Sequence, residues 1–325
     1  MTRLEVRAFA PGDLPGIQRL FQRAYGAELT TAEWDWKYGR SPFEHFGVVG
    51  EREGEIVAYY GGWRWRLHGG CQRRDALVFC DIMTDPSARM AGRLPPLIPL
   101  HEAAMKLAAA AGIPYFCGFP NRGAARFGSR FLGYRYEWMA ACSTSLSSLA
   151  SLASVPPLAS LDHPAAGGLA VEISDTFPEG FDELTARLHA LPGFRVERTR
   201  AVLNWRYHAR PERYYRIYTA QAGGAAKAYA VASTAGPVAV LVDLQSGQPG
   251  TGEGLDAIFS AIARDLAPRG ITELRVGLTR FSPLLPHLAD RFGFNVADDE
   301  NPFGILPTPA GGTIDVSPAN FDARW

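Results

Sequence analysis

The segment ALVFCDIMTDPSARMAGRL, residues 76–94, decides how the rest of the sequence is interpreted. Its first eight residues are apolar except for Asp81, which is the pattern of a central strand buried on both faces of a sheet. Residues 97–110 then form an Ala-rich helical stretch, and residues 113–119 return to a strand pattern. Strand, loop, helix and parallel strand make a right-handed crossover unit, which binds ligands at the loop after the first strand.

Upstream of this unit, the sequence predicts one helix and one hairpin. Apolar residues recur at helical spacing between residues 14 and 21, directly after the acidic start Asp13. Residues 46–51 and 56–65 are strand-like and flank a Glu-Arg-Glu-Gly turn. Together these elements predict an α/β fold built on a mixed α+β sheet.

The second half of the chain repeats the first. Trp36-Lys37-Tyr38 is followed by a proline and an aromatic residue, and Trp205-Arg206-Tyr207 is followed by the same types at the same spacing. Three more matches keep their order in both halves: Cys80-Asp81-Ile82 with Val242-Asp243-Leu244, Gly112-Ile113 with Gly270-Ile271, and Leu132-Gly133-Tyr134 with Phe292-Gly293-Phe294. We therefore interpret the halves as two copies of one fold, each a central mixed β-sheet flanked by helices.

The repeat also suggests the domain boundaries. We assign residues 1–150 to the first domain, residues 151–170 to a linker and residues 171–325 to the second domain. The region around the linker consists mainly of Ser, Ala, Leu, Pro and Gly, a composition that suits a connector better than a packed element. One short strand is expected just before it, near residues 138–144.

Composition excludes several classes of protein. The chain has 325 residues, of which 47% are hydrophobic and 20% charged, as in ordinary globular proteins. Its 33 Lys and Arg equal its 33 Asp and Glu, so no global positive field attracts nucleic acid or an anionic membrane. No stretch approaches 18 uninterrupted apolar residues, and the start has no apolar signal-peptide region. We expect a cytoplasmic protein that binds neither nucleic acid nor membrane.

The spacing of metal-ligating side chains argues against a metal site. The four cysteines lie too far apart for a CxxC site and are too few for a disulfide framework, which favours buried free thiols. His45, His68 and His101 also lack the spacing of metal ligands. The sequence therefore predicts no metal.

Four segments resemble the GNAT N-acetyltransferase superfamily, in particular its bacterial tandem members: EWDWKY, CDIMTDPSARMAGRL, GFPN and FLGY. The resemblance covers most of residues 1–140 and, less sharply, residues 195–300. It implies that the first domain binds acetyl-CoA or another acyl-CoA as co-substrate. The glycine-rich loop 245–254 of the second domain has no Arg or Lys and carries Glu253, so we interpret that domain as a degenerate copy.

The same resemblance implies where the coenzyme lies. Backbone groups at the end of the central strand would pair with its pantetheine arm, and the following loop would cradle its pyrophosphate at a helix N-terminus. An Asn-x-x-Ala pair would follow the next strand. The coenzyme-binding residues predicted in this way are Ile82, Met83, Thr84, Arg89, Met90, Ala91, Gly92, Arg93, Leu94, Asn121 and Ala124.

The chain departs from the family pattern at three places. Leu94 stands where the signature ends in a small residue, and Pro95-Pro96 remove two N–H donors from the phosphate-binding turn. The tyrosine that usually protonates the leaving thiolate would lie near Phe127 or Gly128, and it is missing. These departures put the depth of the cradle and the identity of the acid in question.

The catalytic candidates are few. Asp81, within the buried strand, must be paired or used as a general base. Because Asp243 occupies the repeated position, a shared structural role is the alternative. Tyr134 is a candidate acid, although its repeat partner is a phenylalanine, which favours packing. Glu137 and Asp75 could also reach the cleft, but such carboxylates are more often solvated.

Three functional hypotheses remain open from the sequence. The first is an acyl-CoA-dependent N-acyltransferase, most directly an acetyltransferase, that transfers the acyl group to a primary amine of a small molecule or peptide by direct attack in a ternary complex. The second is a non-catalytic ligand-binding or sensing protein that keeps the fold, favoured by the missing tyrosine and Pro95-Pro96. The third is a longer-chain acyltransferase, suggested by Leu94 and the apolar residues after it. The sequence does not identify the amine.

Overall fold

The chain forms two compact units. The computed structural model describes residues 3–70, 72–88, 95–113, 115–137, 139–152, 169–191, 195–212, 214–248, 252–280, 282–298 and 303–305, apart from the side chains of residues 115, 137, 152, 303 and 305. The first unit holds the described residues up to Leu67, those between Arg74 and Tyr136, and residues 303–305. The second holds those within His68–Arg73 and those from Glu137 to residue 298.

The predicted linker falls largely outside this part of the chain. Residues 153–168 are not among the described ones, so the boundaries at residues 150 and 171 stay a prediction. The strand expected near residues 138–144 is present as Met139–Ser145, and it pairs in the sheet of the second unit. Conversely, the strand Phe303–Ile305 pairs in the sheet of the first unit. Each unit therefore includes one strand from the distant half of the sequence.

The strands, in chain order, are β1 (Glu5–Ala8), β2 (Glu44–Arg52), β3 (Glu55–Gly69), β4 (Gln72–Thr84), β5 (Tyr115–Gly118), β6 (Arg135–Glu137), β7 (Met139–Ser145), β8 (Leu169–Ser174), β9 (Arg195–Val196), β10 (Arg216–Ala222), β11 (Ala225–Ala235), β12 (Val238–Ser246), β13 (Glu273–Thr279), β14 (Asn295–Asp298) and β15 (Phe303–Ile305). The first sheet has the order β1-β2-β3-β4-β5-β15-β6. The second has the order β14-β7-β13-β12-β11-β10-β8. Both are mixed, since β4 with β5 and β12 with β13 are parallel pairs among antiparallel ones.

The helices are α1 (Leu14–Tyr25), α2 (Thr31–Trp34), α3 (Leu97–Ala110), α4 (Arg122–Phe127), α5 (Leu146–Leu152), α6 (Asp182–Ala190), α7 (Arg200–Leu203), α8 (Leu255–Leu266) and α9 (Leu284–Phe292). Single π-helical turns follow three of them, at Asp35–Gly39, Gly128–Leu132 and Asn204–His208. The mixed sheets flanked by helices confirm the predicted α/β fold class, and α3 has the predicted bounds.

Each unit packs its crossover helix on its own sheet. In the first, α3 buries Leu100 and Ala104 against Tyr60 and Leu77 of the neighbouring strands. In the second, the apolar stripe of α8 packs on β11 and β12 in the same manner. Burial of apolar area is the largest favourable contribution to such cores, about 25 cal/mol per Å². The core thus fixes β4 and α3, the two elements whose ends meet at the site.

The repeat is visible in the local geometry of both units. The Thr30 hydroxyl caps α2 by accepting a hydrogen bond from the Glu33 backbone N–H at 3.1 Å, and the Thr199 hydroxyl caps α7 from Val202 N–H at 3.4 Å. A π-helical turn follows each helix. These turns place the tyrosines of the two Trp-basic-Tyr clusters, Tyr38 and Tyr207, in buried positions.

Candidate functional site

Strands β4 and β5 separate at one end, and this opening defines the site. Their parallel ladder runs from Ala76 opposite Tyr115 to Phe79 opposite Gly118. Beyond that pair β4 continues to Thr84, whereas β5 ends and the chain reaches Pro120, which has no N–H to donate to a ladder. The edge of β4 that faced β5 is therefore available to an extended ligand after Phe79.

A pocket of about 460 Å³ lies at this opening, within the first unit. Its walls come from the end of β4, the start of α3, helix α4 and the end of α1. The lining residues are Ala24, Tyr25, Ile82, Met83, Thr84, Pro95, Pro96, Leu97, Asn121, Ala124 and Phe127. Most of these side chains are apolar, and none of the described ones carries a formal charge at neutral pH.

The structure brings the described members of the predicted coenzyme set together. Ile82, Met83, Thr84, Asn121 and Ala124 all line this pocket. The Asn-x-x-Ala pair has a physical explanation, because the side-chain oxygen of Asn121 accepts a hydrogen bond from the Ala124 backbone N–H at 2.9 Å and caps α4.

The predicted phosphate loop is not described. Arg89, Met90, Ala91, Gly92, Arg93 and Leu94 lie outside the described residues. The helix after it is intact: α3 begins at Leu97 despite Pro95-Pro96, since the first turn of a helix tolerates proline.

Asp81 is held in a buried ion pair. Its carboxylate lies 2.7 Å from the Lys37 ammonium and accepts a hydrogen bond from the Tyr38 hydroxyl at 2.6 Å. The Asp81 and Lys37 side chains are each 6% exposed. Because successive strand residues point to opposite faces, Asp81 points away from the face on which Ile82 is exposed. A carboxylate with these two partners is well placed to be structural and poorly placed to accept a proton from a substrate.

Asp243 has a similar environment in the second unit. It accepts a hydrogen bond from the Tyr207 hydroxyl at 3.2 Å, and Arg198 Nε lies 3.5 Å from its other oxygen. Burial raises the pKa of Asp243, and the nearby Arg198 opposes that rise. Both repeats thus join the tyrosine of the π-helical turn to the aspartate of the central strand, which favours the structural role for both aspartates.

Tyr134 and Asp75 are not among the described residues that line the pocket. The Tyr134 hydroxyl lies 3.3 Å from the Tyr60 hydroxyl, and burial raises its pKa well above that of a free tyrosine. Asp75 accepts hydrogen bonds from Arg64 at 2.7 and 2.9 Å. Glu137 belongs to β6, and its side chain lies outside the described atoms. Asp81, Tyr134 and Glu137 are therefore not brought together at the pocket by any described contact.

The missing tyrosine has a steric explanation. A Cβ atom placed on Gly128 would overlap the hydroxyl of Tyr136, which projects from β6. Residue 128 can therefore carry no side chain while Tyr136 stays in place. Burial raises the pKa of Tyr136 to about 12, so its phenol is a weak acid.

Sequence reasoning missed the wall of the pocket that α1 forms with Ala24 and Tyr25. Tyr25 ends α1 and lines the pocket, with its side chain 55% exposed. The available signal was an aromatic residue outside the buried stripe of Ile17 and Leu20, directly before the helix-ending Gly26. That signal identifies an exposed aromatic but not the element that it faces, because the facing strand lies more than fifty residues away in the chain.

The end of β12 in the second unit is arranged differently. The ladder of β12 with β13 ends at Leu241 opposite Val276, and β12 continues to Ser246, so the strands separate as in the first unit. However, a Cβ atom on Gly252 would overlap the ring of His287, which projects from α9. The imidazole therefore fills the space beside the described part of loop 245–254.

Comparison with known proteins gives the fold. No protein-family model matches the sequence, and no curated protein matches it. Solved structures do match. A protein of unknown function from Enterococcus faecalis V583, called a probable N-acyltransferase, aligns over 94% of this chain and 73% of its own with a TM-score of 0.69 and 11% identity. A GCN5-related N-acetyltransferase from Kribbella flavida aligns over 94% and 71% with a TM-score of 0.64 and 15% identity.

A third solved structure aligns with this chain over its whole length. A tandem GNAT protein from the clavulanic acid biosynthesis pathway aligns over 95% of this chain and 100% of its own, with a TM-score of 0.57 and 14% identity. The chain has a tandem GNAT fold. At these identities the likeness to GNAT proteins establishes the architecture, and the chemistry has to be argued from the pocket.

Within the described residues, no group of three or more His, Cys, Asp or Glu side chains could hold a metal ion. No helix in the same part of the chain is long and apolar enough to cross a membrane.

Proposed function

We propose that the protein is an acyl-CoA-dependent N-acyltransferase that binds its coenzyme in the first unit. In this proposal the acyl group, most directly acetyl, passes to a primary amine of a small molecule or peptide by direct attack in a ternary complex. The observation that carries it is the pocket where β4 extends beyond its ladder with β5 and meets the start of α3.

The residues present suit such a coenzyme. The pantetheine arm carries amide groups that can pair with a strand, and the edge of β4 from Cys80 to Thr84 has no pairing with β5 in the described ladder. The apolar walls formed by Met83, Leu97 and Phe127 suit the methylene groups of the arm and an acyl chain. Phosphate binding is assigned to the loop of Arg89 and Gly92, which remains a prediction from the sequence.

A thermal shift experiment tests binding. A ligand that binds only the folded state stabilises it by about 2.7 kcal/mol at 100 times its Kd. We expect acetyl-CoA and desulfo-CoA to raise the Tm by similar amounts, since the contacts lie along the arm and the phosphates. No shift with any acyl-CoA at millimolar concentration contradicts the proposal.

A non-catalytic sensing function is the second candidate. It is favoured by two observations: Asp81 is engaged by Lys37 and Tyr38, and no side chain is possible at Gly128 while Tyr136 stays in place. Thiol release from acetyl-CoA in the presence of a panel of primary amines separates the two functions. Tight coenzyme binding without amine-dependent thiol release across the panel supports the sensor.

Acyl length is the remaining variable. Because the pocket is lined mainly by apolar side chains, a longer acyl group is a specific alternative to acetyl. Comparing the Kd of acetyl-CoA with that of hexanoyl-CoA decides between them. Each buried methylene contributes about 0.8 kcal/mol, so a site for longer chains binds hexanoyl-CoA at least tenfold more tightly.

A further inference from the structure

The only ionisable side chain among the described residues that line the pocket is that of Tyr25. Its hydroxyl donates a hydrogen bond to the backbone carbonyl of Ile82 at 3.0 Å. Since the side chain is 55% exposed, the hydroxyl can exchange protons with water. A titratable group thus lies directly against the strand edge on which the proposed coenzyme arm pairs.

Several contacts fix Tyr25 in this place. Its ring packs edge-on against Phe21 with centroids 4.9 Å apart. Two residues before the end of the helix, Arg23 donates a hydrogen bond to Asp85, just beyond the end of β4, at 2.5 Å. The helix stops at Gly26, whose φ of 70° lies in the left-handed region. Two hydrogen bonds therefore tie the end of α1 to the end of β4 and the residue just after it.

The direction of the coenzyme then places its sulfur near this hydroxyl, a step that rests on the proposed function. If the phosphate end of the coenzyme lies towards the start of α3, beyond Thr84, an arm that runs along Thr84, Met83 and Ile82 has its thioester at the Ile82 end. The Tyr25 hydroxyl is at that end, whereas Phe127 has no hydroxyl and the buried Tyr134 is bonded to Tyr60.

We propose that Tyr25 is the proton donor to the coenzyme sulfur, in place of the tyrosine that is missing at Phe127 and Gly128. The amine nitrogen forms its bond to the acyl carbon, the carbon–sulfur bond breaks, and its electron pair stays on sulfur. The Tyr25 O–H proton passes to that sulfur, water returns a proton to the phenolate, and the amine loses one proton to water. An ordinary phenol has a pKa about 1.5 above that of an ordinary thiol, so a phenolic hydrogen bond stabilises a developing thiolate before the proton moves.

The test uses the thiol of bound CoA and needs no knowledge of the amine. In the complex with CoA, the ultraviolet absorbance of the thiolate is followed against pH, with the desulfo-CoA complex subtracted to remove the tyrosine signal. A donor at the sulfur stabilises the thiolate, so we expect the bound thiol in Tyr25→Phe to titrate about one pH unit higher than in the wild type. In the control variant Tyr214→Phe, at an exposed tyrosine of the second unit, the bound thiol should titrate as in the wild type.

Each other outcome has a definite meaning. Equal thiol pKa values in wild type and Tyr25→Phe, with both proteins binding CoA, overturn the role of Tyr25. So does a shift caused by Tyr134→Phe and not by Tyr25→Phe. If Tyr25→Phe only tightens CoA binding, the hydroxyl merely occupies the Ile82 carbonyl and the donor role is wrong. A wild type that binds neither CoA nor desulfo-CoA removes the proposed function itself, which distinguishes that failure from the others.

Discussion

The two units share a scaffold and differ at the place where a ligand would bind. In both, the central strand extends beyond its parallel ladder, and an aspartate in that strand is bonded by a tyrosine from a π-helical turn. In the first unit the opening is a pocket of about 460 Å³. In the second, the His287 ring occupies the space beside Gly252. The comparison teaches that the packing around the central strand is repeated in both units, while the side chains beside the end of that strand differ.

The position of that side chain is informative. His287 and Phe127 both lie six residues before a glycine with positive φ, Gly293 and Gly133, so they are equivalent in the repeat. Phe127 forms a wall of the pocket, whereas the His287 ring lies against Gly252. The equivalent positions of the two units therefore carry different side chains with different neighbours.

The largest expected difference concerns the two buried aspartates. Asp81→Asn removes the carboxylate that pairs with the buried Lys37 charge, which should lower the free energy of unfolding by about 3–5 kcal/mol. Asp243→Asn should cost less, about 1–3 kcal/mol, because burial raises the pKa of Asp243 and one of its oxygens has no hydrogen bond. Urea unfolding of both variants measures the difference. A stable Asp81→Asn protein with lost activity would instead indicate a general base.

A smaller effect is expected at Gly128. Gly128→Ala forces its new Cβ onto the Tyr136 hydroxyl and should lower the free energy of unfolding by about 1–3 kcal/mol. Adding Tyr136→Phe removes the overlapping oxygen and should restore part of the loss. Thermal or urea unfolding of the single and double variants provides the check. Additive losses in the double variant contradict the steric account of the missing tyrosine.

Partly or fully buried histidines in both units make stability depend on pH. Burial lowers the pKa of His45 and of His189 to about 4, whereas an unfolded histidine titrates near 6.5. Because the folded state resists protonation, stability is full above about pH 6.5 and falls as the pH drops towards 4. Replacing either histidine by Gln should reduce the stability lost on acidification by about 1–2 kcal/mol. Urea unfolding at pH 7 and pH 4.5 measures this difference. An unchanged pH dependence in both variants is the contrary result.

The smallest expected effect compares the helix caps. Thr30→Ala and Thr199→Ala each remove an N-cap hydrogen bond, with an expected cost of about 1 kcal/mol. Thr30→Ala should lower the stability more than Thr199→Ala, because the Thr30 hydrogen bond is shorter and Glu33 reaches back to complete a capping box that α7 lacks. Differential scanning calorimetry ranks the two. The opposite order would mean that surrounding packing outweighs the cap.

The sequence pattern predicted the fold well because the main strands and helices can be recognised from short stretches of sequence alone. The apolar run of residues 76–83 and the Ala-rich stretch of residues 97–110 identify β4 and α3 without knowledge of their neighbours. The repeat offset identified the second unit in the same way. Long-range pairing was not predictable: nothing local in Met139–Ser145 or Phe303–Ile305 indicates which sheet each strand joins.

The site was predicted only in part, for a related reason. Backbone-binding positions such as Ile82 and Asn121 follow from their place on β4 and before α4. Tyr25 was missed because its role depends on a contact with β4. The contact of His287 with Gly252 was also not predictable from the sequence, since it requires the approach of α9 to a distant loop.

The binding stoichiometry of desulfo-CoA tests the central claim most directly. Calorimetric titration of the wild type should give one site per chain, in the first unit. Ala124→Trp, which fills the pocket, should abolish binding, while Ala110→Trp, at an exposed position near the end of α3, should leave it unchanged. Two sites per chain, or full binding by Ala124→Trp, would contradict the assignment of the coenzyme to the first unit.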